Sequence, residues 1–442
     1  MMRRAWPPPR SWFALGCITC IAMLVGMYPV FGWGPAQWHE FTSSSREASL
    51  LVAVVTAGFC AHIPRALTST GVVAGRPAVA AHRVVNWQLS RIVVSVGLGT
   101  LVAELLAGAY VASNADGGAP DLLSAAGVMV GNVAVGLVAY TISVCLAVRA
   151  GGLIAAIVAV LGVVLLPGLN PVFGNSGIST RQPALIWLND FPLIGWEVTT
   201  QTALTRLVLF IIVVAASWLL ALARVRSPLG PRFSASSLVA ATVAMVCLAI
   251  AQSPPLVEQN VVDPVCEEAG GVEVCVHPDY VSLTDPVSQA VVATLEMVPE
   301  KRRPLLVQQT GTRAVSAEEA VPLQLDHLSS ERDLEAAVAV PLSEWSSGAA
   351  ACQERRAELG AGELIPEQIE SAGSVQRALA LTIQERAGVQ IDTGMADEAT
   401  GESVRPPELE AFSALDDGEL RAWISEYSEA IGECAVNPES IP

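Results

Sequence analysis

Lysine is nearly absent from this chain of 442 residues, and the single one, Lys301, is followed by Arg302. Because a Walker A loop needs Gly-Lys-Ser or Gly-Lys-Thr to hold phosphate, the chain cannot hydrolyse ATP through a P-loop. Charged residues of both signs are also scarce, at 15%, whereas apolar residues make up 52%. A chain so poor in charge is not an ordinary soluble enzyme, and its composition predicts a membrane protein.

The usual catalytic and metal-binding patterns are missing as well. After residue 252 the only histidines are His277 and His327, fifty residues apart, so no His-Glu-x-x-His zinc motif is present. The sequence has no Gly-x-Ser-x-Gly nucleophile elbow and no twelve-residue EF-type calcium loop. A lone Asp392-Thr-Gly394 is interpreted as a turn. We therefore predict that the chain is not an enzyme and that it holds no cofactor or metal.

Charge divides the chain into two parts. Residues 1–252 hold 14 arginines and 7 acidic residues, a net charge of +7, whereas residues 253–442 hold 11 basic and 35 acidic residues, a net charge of −24. We predict a transmembrane domain over 1–252 and an acidic, water-exposed domain over 253–442 that its charge keeps off anionic lipid. An acidic face cannot contact phosphates, so no nucleic acid is expected as a partner.

Apolar stretches in the first part predict a polytopic α-helical membrane bundle of six or seven transmembrane helices, in contact with membrane lipid. A helix needs roughly 20 mainly apolar residues to cross the hydrocarbon core. Seven stretches qualify, and the second is the shortest: 12–31, 48–63, 92–112, 122–148, 151–169, 204–223 and 235–252.

The arginines between these stretches predict the orientation, because cytoplasmic loops retain Arg and Lys. Eleven lie on one side and three, Arg46, Arg181 and Arg206, on the other. The N-terminus is therefore predicted to be cytoplasmic and residues 253–442 extracytoplasmic, with the first span an uncleaved anchor. The eleven are Arg3, Arg4, Arg10, Arg65, Arg76, Arg83, Arg91, Arg149, Arg224, Arg226 and Arg232.

An acidic residue, Glu104, lies near the middle of the third predicted span. An ionisable side chain there is costly unless it faces the bundle interior or water. We consider two interpretations for this candidate intramembrane polar site. Glu104 is a pathway or gating residue, or it makes a structural hydrogen bond to a neighbouring helix, for instance to Asn132 or Tyr140 of the fourth span.

A basic loop, from His62 to Arg91, follows the second span, and an apolar segment rich in Trp and Pro, residues 167–196, separates the fifth span from the sixth. This order of loops resembles that of the permease subunit of ABC-2-type exporters. That family has six spans, a cytoplasmic N-terminus, a coupling helix between the second and third spans and re-entrant helices between the fifth and sixth. The resemblance is topological and covers residues 1 to about 226.

The seventh span and the acidic domain depart from that family. They resemble actinobacterial membrane proteins thought to work with ABC ATPases, in Gly271-Val-Glu-Val-Cys-Val-His-Pro278 and in a late helix from Trp423 to Cys434. The resemblance implies a separate ABC ATPase that docks against residues 64–91 and a homo- or heterodimer of permeases. The candidate coupling residues in that loop are Arg65, Arg76, Arg83 and Arg91.

Four of the nine cysteines, Cys266, Cys275, Cys352 and Cys434, lie in the acidic domain. An even number in an oxidising compartment favours two disulfides with three connectivities open, and we favour Cys266 with Cys275 and Cys352 with Cys434. The run from Cys266 to Tyr280 also holds His277 and Asp279, which leaves a metal or ligand site as the alternative to a stapled hairpin.

Helices and strands are both expected in the acidic domain, which predicts an α+β fold. Helices are predicted at 286–297, 331–340, 343–359 and 376–387 and a strand at 304–309, with a long final helical region over 409–432. A polar loop is predicted at 388–407.

Two functions remain open at this point. The first is a permease-like subunit of an ABC-type export system, whose outer domain contacts substrate or an envelope partner. The second is a non-transporting membrane receptor or sensor with an extracytoplasmic ligand-binding domain. A membrane-anchored enzyme is disfavoured because the catalytic constellations are absent.

Overall fold

The structure, a computed structural model, describes residues 9–64, 78–146, 154, 157, 196–226, 257–259, 261–313, 320–325, 328–358, 367–389 and 406–441. The chain divides into two compact units. The bundle unit comprises Met1–Phe31 with Ala36–Asn260, and the C-terminal unit comprises Gly32–Pro35 with Val261–Pro442.

Five helices form the described part of the bundle unit: α1 (Pro9–Gly26), α2 (Trp38–His62), α3 (Ala78–Asn114), α4 (Leu122–Leu146) and α5 (Thr200–Arg226). Three stretches within these helices are long and apolar enough to cross a membrane: His82–Asn114, Leu122–Cys145 and Thr200–Arg224. They contain most of the spans predicted at 92–112, 122–148 and 204–223, so the prediction of helices long and apolar enough to span a membrane is confirmed for those three.

The other predicted spans are not found as long apolar helices in the described residues. The apolar helix at the first, Arg10–Gly26, is short. At the second, α2 begins at Trp38, ten residues before the predicted start, and its first half is polar. The stretches at 151–169, apart from Ile154 and Ile157, and at 235–252 lie outside the described residues.

The helices of the bundle pack mainly in two groups. Helix α4 lies against α2 and α5, and α1 lies against α2 and α3. Helices α1 and α3 approach each other closely at two glycines: a Cβ added at Gly99 would stand 2.5 Å from the backbone oxygen of Gly16.

At the start of α4, Asp121 Oδ1 accepts the N–H groups of Leu123 (3.1 Å) and Ser124 (2.9 Å), which satisfies two donors that the first turn leaves without intrahelical partners. A short strand β1 (Trp196–Val198) pairs antiparallel with β2 (Val257–Gln259).

A four-stranded sheet in the order β3-β4-β5-β6 organises the C-terminal unit. Strands β3 (Val265–Ala269) and β4 (Val272–Val276) form a hairpin, and β5 (Leu306–Gln309) and β6 (Ala320–Leu323) continue the sheet in parallel. The turn consists of Gly270 and Gly271, with φ of 62° and 80°. Two consecutive positive φ values are typical of the type I′ turn, whose twist matches that of the flanking strands.

Helices complete this unit, as the α+β expectation requires. Helix α6 (Thr284–Leu295) corresponds to the predicted 286–297, and α7 (Glu331–Ser346) continues through Pro341 beyond the predicted end at 340. Next come α8 (Ala349–Glu358) and α9 (Glu367–Arg386). The long final region predicted at 409–432 comprises three helices: α10 (Pro407–Ala414), α11 (Asp417–Glu426) and α12 (Ser428–Gly432).

Candidate functional site

The first half of α2 buries polar side chains inside the bundle unit. Its buried residues there include Thr42, Ser43, Ser44, Ser45, Arg46 and Ser49. Arg46 is 3% exposed, and its Nη2 donates to Ser124 Oγ of α4 over 2.6 Å. A helix packed among apolar neighbours gains nothing from such groups unless they meet polar partners, so this segment marks a polar region in the bundle.

A cavity lies beside this arginine, between α2, α4 and α5, and we call it the arginine cavity. It is small, since about 20 Å³ of it is accessible to a water-sized molecule. A second buried arginine, Arg206 of α5, is 4% exposed and also lines it. Two arginines and two serines therefore line the same cavity. Its lining residues are Arg46, Ser49, Ser124, Gly127, Val128, Ala203, Arg206 and Phe210.

A series of polar contacts, which we call the polar ladder, continues along α3. Ser45 Oγ donates to Glu104 Oε1 (3.4 Å), Asn132 Nδ2 donates to Thr100 Oγ1 (3.3 Å), and Tyr140 Oη donates to Gln88 Oε1 (2.7 Å). All six side chains are buried.

The polar ladder extends over most of the length of a membrane-crossing helix. From Gln88 to Glu104 it covers seventeen residues of α3, and the sixteen steps between the first and the last correspond to about 24 Å at a rise of 1.5 Å per residue. In the two contacts between α3 and α4, the higher-numbered residue of α4, Tyr140, meets the lower-numbered residue of α3, Gln88, as expected for antiparallel helices. Asn132 Oδ1 is buried without a hydrogen-bond partner in the part of the chain that the structure describes.

Both predicted intramembrane residues belong to the polar ladder, but they do not bond to each other. Glu104 is held by Ser45 of α2, where the sequence led us to expect Asn132 or Tyr140. Asn132 instead contacts Thr100, one helical turn from Glu104 on α3.

Sequence reasoning missed the two buried arginines, which were counted only as exceptions to the charge bias. The available signal was their position, since Arg206 lies inside a predicted span and Arg46 lies just before another.

The candidate coupling residues are only partly described. Arg65 and Arg76 lie outside the described residues. Arg83 and Arg91 are exposed on α3, and the Arg91 guanidinium lies 5.5 Å from the centroid of the Trp87 ring. Residues 78–91 are continuous with the following apolar helix, so this part of the loop is not the separate short helix that the resemblance implies.

Both cysteine pairs favoured by the sequence lie at bonding distance in the C-terminal unit. Cys266 and Cys275 are directly opposite each other in the β3–β4 hairpin, with Cα atoms 4.1 Å apart. Cys352 of α8 joins Cys434, which follows α12, with Cα atoms 5.2 Å apart.

The disulfide between Cys266 and Cys275 disfavours the metal site considered for Cys266–Tyr280. Glu273 lies close to both sulfur atoms, but sulfurs bonded to each other offer no thiolate for a metal. His277 has a structural position: its backbone N–H donates to Gln309 Oε1 (2.8 Å), and its Nδ1 accepts from the N–H of Asp279 (3.1 Å). These contacts describe a braced hairpin followed by a helical turn.

Three apolar helices of spanning length around a polar interior indicate a membrane-associated helical protein. Comparisons with models of protein families, with curated proteins and with solved structures found no match. The function is therefore proposed from the residues of the bundle.

Proposed function

We propose that the chain is the membrane-spanning, permease-like subunit of an ABC-type export system, with its N-terminus in the cytoplasm and its acidic domain outside. A separate ATPase chain would supply the energy, since the sequence contains no P-loop. The observation that carries the proposal is the polar ladder together with the arginine cavity.

Polar and ionisable groups inside a membrane bundle are costly, and they mark substrate pathways, ion pathways and relays more often than they serve stability. A helical anchor for the acidic domain would need no buried Arg46, Arg206 or Glu104. Arg46 and Arg206 line one cavity, and Glu104 contacts Ser45, the residue next to Arg46 on α2. A pathway for a polar or charged group between these helices accounts for all three.

Co-purification of an ATPase tests the proposal. The tagged full-length chain is extracted from its native host in mild detergent, and the ATP hydrolysis of the preparation is measured. We expect an associated ATPase, and we expect Arg83→Glu with Arg91→Glu to reduce its recovery by about tenfold, since reversal of two contact charges opposes docking. Arg10→Glu, an exposed arginine on α1 assigned to the same side, is the matched control.

Two results would count against export. One is a preparation that never contains an ATPase, and the other is equal recovery with the double variant and the control. Recovery of a kinase or a transcription regulator in its place would favour the membrane sensor.

A further inference from the structure

The two disulfides of the C-terminal unit differ in their access to solvent. Cys266 is exposed on β3, an edge strand of the described sheet, whereas Cys352 and Cys434 are only 2% and 4% exposed. Thiol–disulfide exchange begins when a thiolate attacks one sulfur atom of the disulfide, so a disulfide reacts in the folded state only where that sulfur can be reached. The hairpin disulfide meets this condition, and the buried disulfide does not.

Exchange at the hairpin has a direction, because only one of its two cysteines is exposed. Cys275 is 0% exposed, so an incoming thiolate reaches the Sγ of Cys266, and Cys275 is the leaving group. The attack joins the sulfur of the reductant to Cys266 Sγ and breaks the Sγ–Sγ bond, whose electron pair leaves on Cys275 Sγ and takes up a proton. A second thiolate then attacks the sulfur of the reductant, forms the disulfide of the reductant and releases Cys266, which also takes up a proton. In total, two thiols lose two electrons and two protons, and the hairpin gains them.

The hairpin is held together by more than its disulfide. Five consecutive residue pairs join β3 to β4, the Gly270-Gly271 turn connects the strands, and β4 also pairs with β5. Because these contacts do not involve the sulfur atoms, Cys266 and Cys275 remain opposite each other after reduction. The thiol of Cys275 therefore expels an attached monothiol from Cys266, unless a second thiol of the attacking molecule competes from equally close range. A reductant that completes the reaction is a dithiol.

Carboxylates lie beside the reactive sulfur atoms. A carboxylate oxygen of Glu273 lies within 4.8 Å of both sulfurs, and Glu268 is the cross-strand partner of Glu273. Side chains alternate along a strand and paired residues share a face, so both glutamates lie on the same face of the hairpin as the two cysteines. Their negative charge repels an anionic reductant and attracts a cationic one. The face therefore favours a reductant with basic residues beside its attacking sulfur.

We propose that the Cys266–Cys275 disulfide is a thiol–disulfide exchange site, reduced through Cys266 by a protein dithiol that carries basic residues beside its attacking sulfur. The Cys352–Cys434 disulfide takes no part and keeps the C-terminal unit closed during the exchange. The site lies within the C-terminal unit and does not depend on the export function, so either proposal can fail without the other.

The first measurement compares the two disulfides within one folded molecule. The purified full-length chain in a non-ionic detergent has its free thiols blocked with N-ethylmaleimide and is then treated with dithiothreitol, a small dithiol. The thiols released over time are labelled with an isotopically distinct maleimide and quantified by peptide mass spectrometry. We expect Cys266 and Cys275 to be released about tenfold faster than Cys352 and Cys434, or more, while the unit keeps its resistance to proteolysis. Equal rates, or release of the hairpin pair only in urea, would overturn the proposal.

Monothiol probes test the site of attack and the need for a dithiol. With cysteamine, a cationic monothiol, we expect the adduct trapped by acid on Cys266. At the thiol concentration at which dithiothreitol completes the reduction, cysteamine should leave most of the hairpin disulfide intact, because Cys275 expels it. An adduct on Cys275, or complete reduction by cysteamine, would overturn the proposal.

The charge of the reductant is tested with a second monothiol, the anionic mercaptoethanesulfonate, with rates compared per thiolate. We expect the ratio of the cysteamine rate to the mercaptoethanesulfonate rate to fall about fivefold in Glu273→Gln. Glu267→Gln is the matched control, since Glu267 is an exposed glutamate on the opposite face of β3, and it should keep the ratio of the wild type. An equal ratio in Glu273→Gln and the wild type would overturn the basic partner.

Discussion

The two disulfides of the C-terminal unit should contribute unequally to its stability, and removal of each pair tests this. Cys352 and Cys434 are 82 residues apart along the chain, whereas Cys266 and Cys275 are 9 apart. A disulfide limits the conformational freedom of the unfolded chain, by more when the loop it closes is longer. With these separations the chain-entropy relation predicts about 4.5 kcal/mol for the long loop and about 2.6 kcal/mol for the hairpin.

The backbone at Cys434 adds a second, smaller effect. This residue has φ of 53°, the left-handed conformation that glycine adopts at the end of a helix and other residues adopt at a cost of about 1 kcal/mol. With the disulfide removed, glycine at position 434 should relieve this cost. We therefore expect Cys352→Ala with Cys434→Gly to be more stable than Cys352→Ala with Cys434→Ala by about 1 kcal/mol.

Pulse proteolysis in urea is a suitable assay, because it reports the fraction of folded C-terminal unit within the full-length chain in detergent. We expect the highest unfolding midpoint for the wild type, a lower one for Cys266→Ala with Cys275→Ala, and the lowest for the two variants without the Cys352–Cys434 disulfide. Under full reduction, the wild type should lose its advantage over the variants with alanine, and the variant with glycine at position 434 should remain more stable by about 1 kcal/mol. If the hairpin variant lost as much stability as the long-loop variants, the loop-closure reasoning would be wrong.

Two further predictions concern the same unit. Gly348 has φ of 72° and a Cβ added there would lie 2.2 Å from the backbone oxygen of Ile431, whereas Gly388, with φ of 86°, has open space. Gly348→Ala should therefore cost about 2 kcal/mol or more, and Gly388→Ala only the strain of about 1 kcal/mol, in the same proteolysis assay. Hydrogen bonds from the Ser329 side chain and backbone lower the pKa of Asp333 at the start of α7. Because the folded pKa lies below the unfolded one, this stabilisation is present above the ordinary Asp pKa of about 3.9 and is lost as the pH falls through the folded value. Asp333→Asn should remove that part of the pH dependence of the midpoint, and an unchanged pH profile would contradict the assignment.

Predictions that rest on local properties of the chain agree well with the structure. Length and hydropathy are local, and they located the helices Ala78–Asn114, Leu122–Leu146 and Thr200–Arg226 without knowledge of their neighbours. The Gly270-Gly271 turn is also local. It sets the register of its hairpin and brings Cys266 opposite Cys275.

The residues of the candidate site were harder to predict because the helices of the bundle are apolar almost all round. Such helices have no marked periodicity to show which face meets which neighbour. Glu104 was noticed because an acid in a span is rare, but its partner, Ser45, lies 59 residues away on a helix whose polar half was not assigned to the bundle.

By itself, the sequence determined that the chain contains membrane-type helices, that its charge is divided between two parts, and that no P-loop or zinc motif is present. These properties depend on composition and on near neighbours along the chain. Only the tertiary structure decided that Arg46 meets Ser124, 78 residues away, and that Arg206 lines the same cavity. The site depends on the rotation and depth of helices that pack together, and those are determined by contacts between residues far apart in the chain.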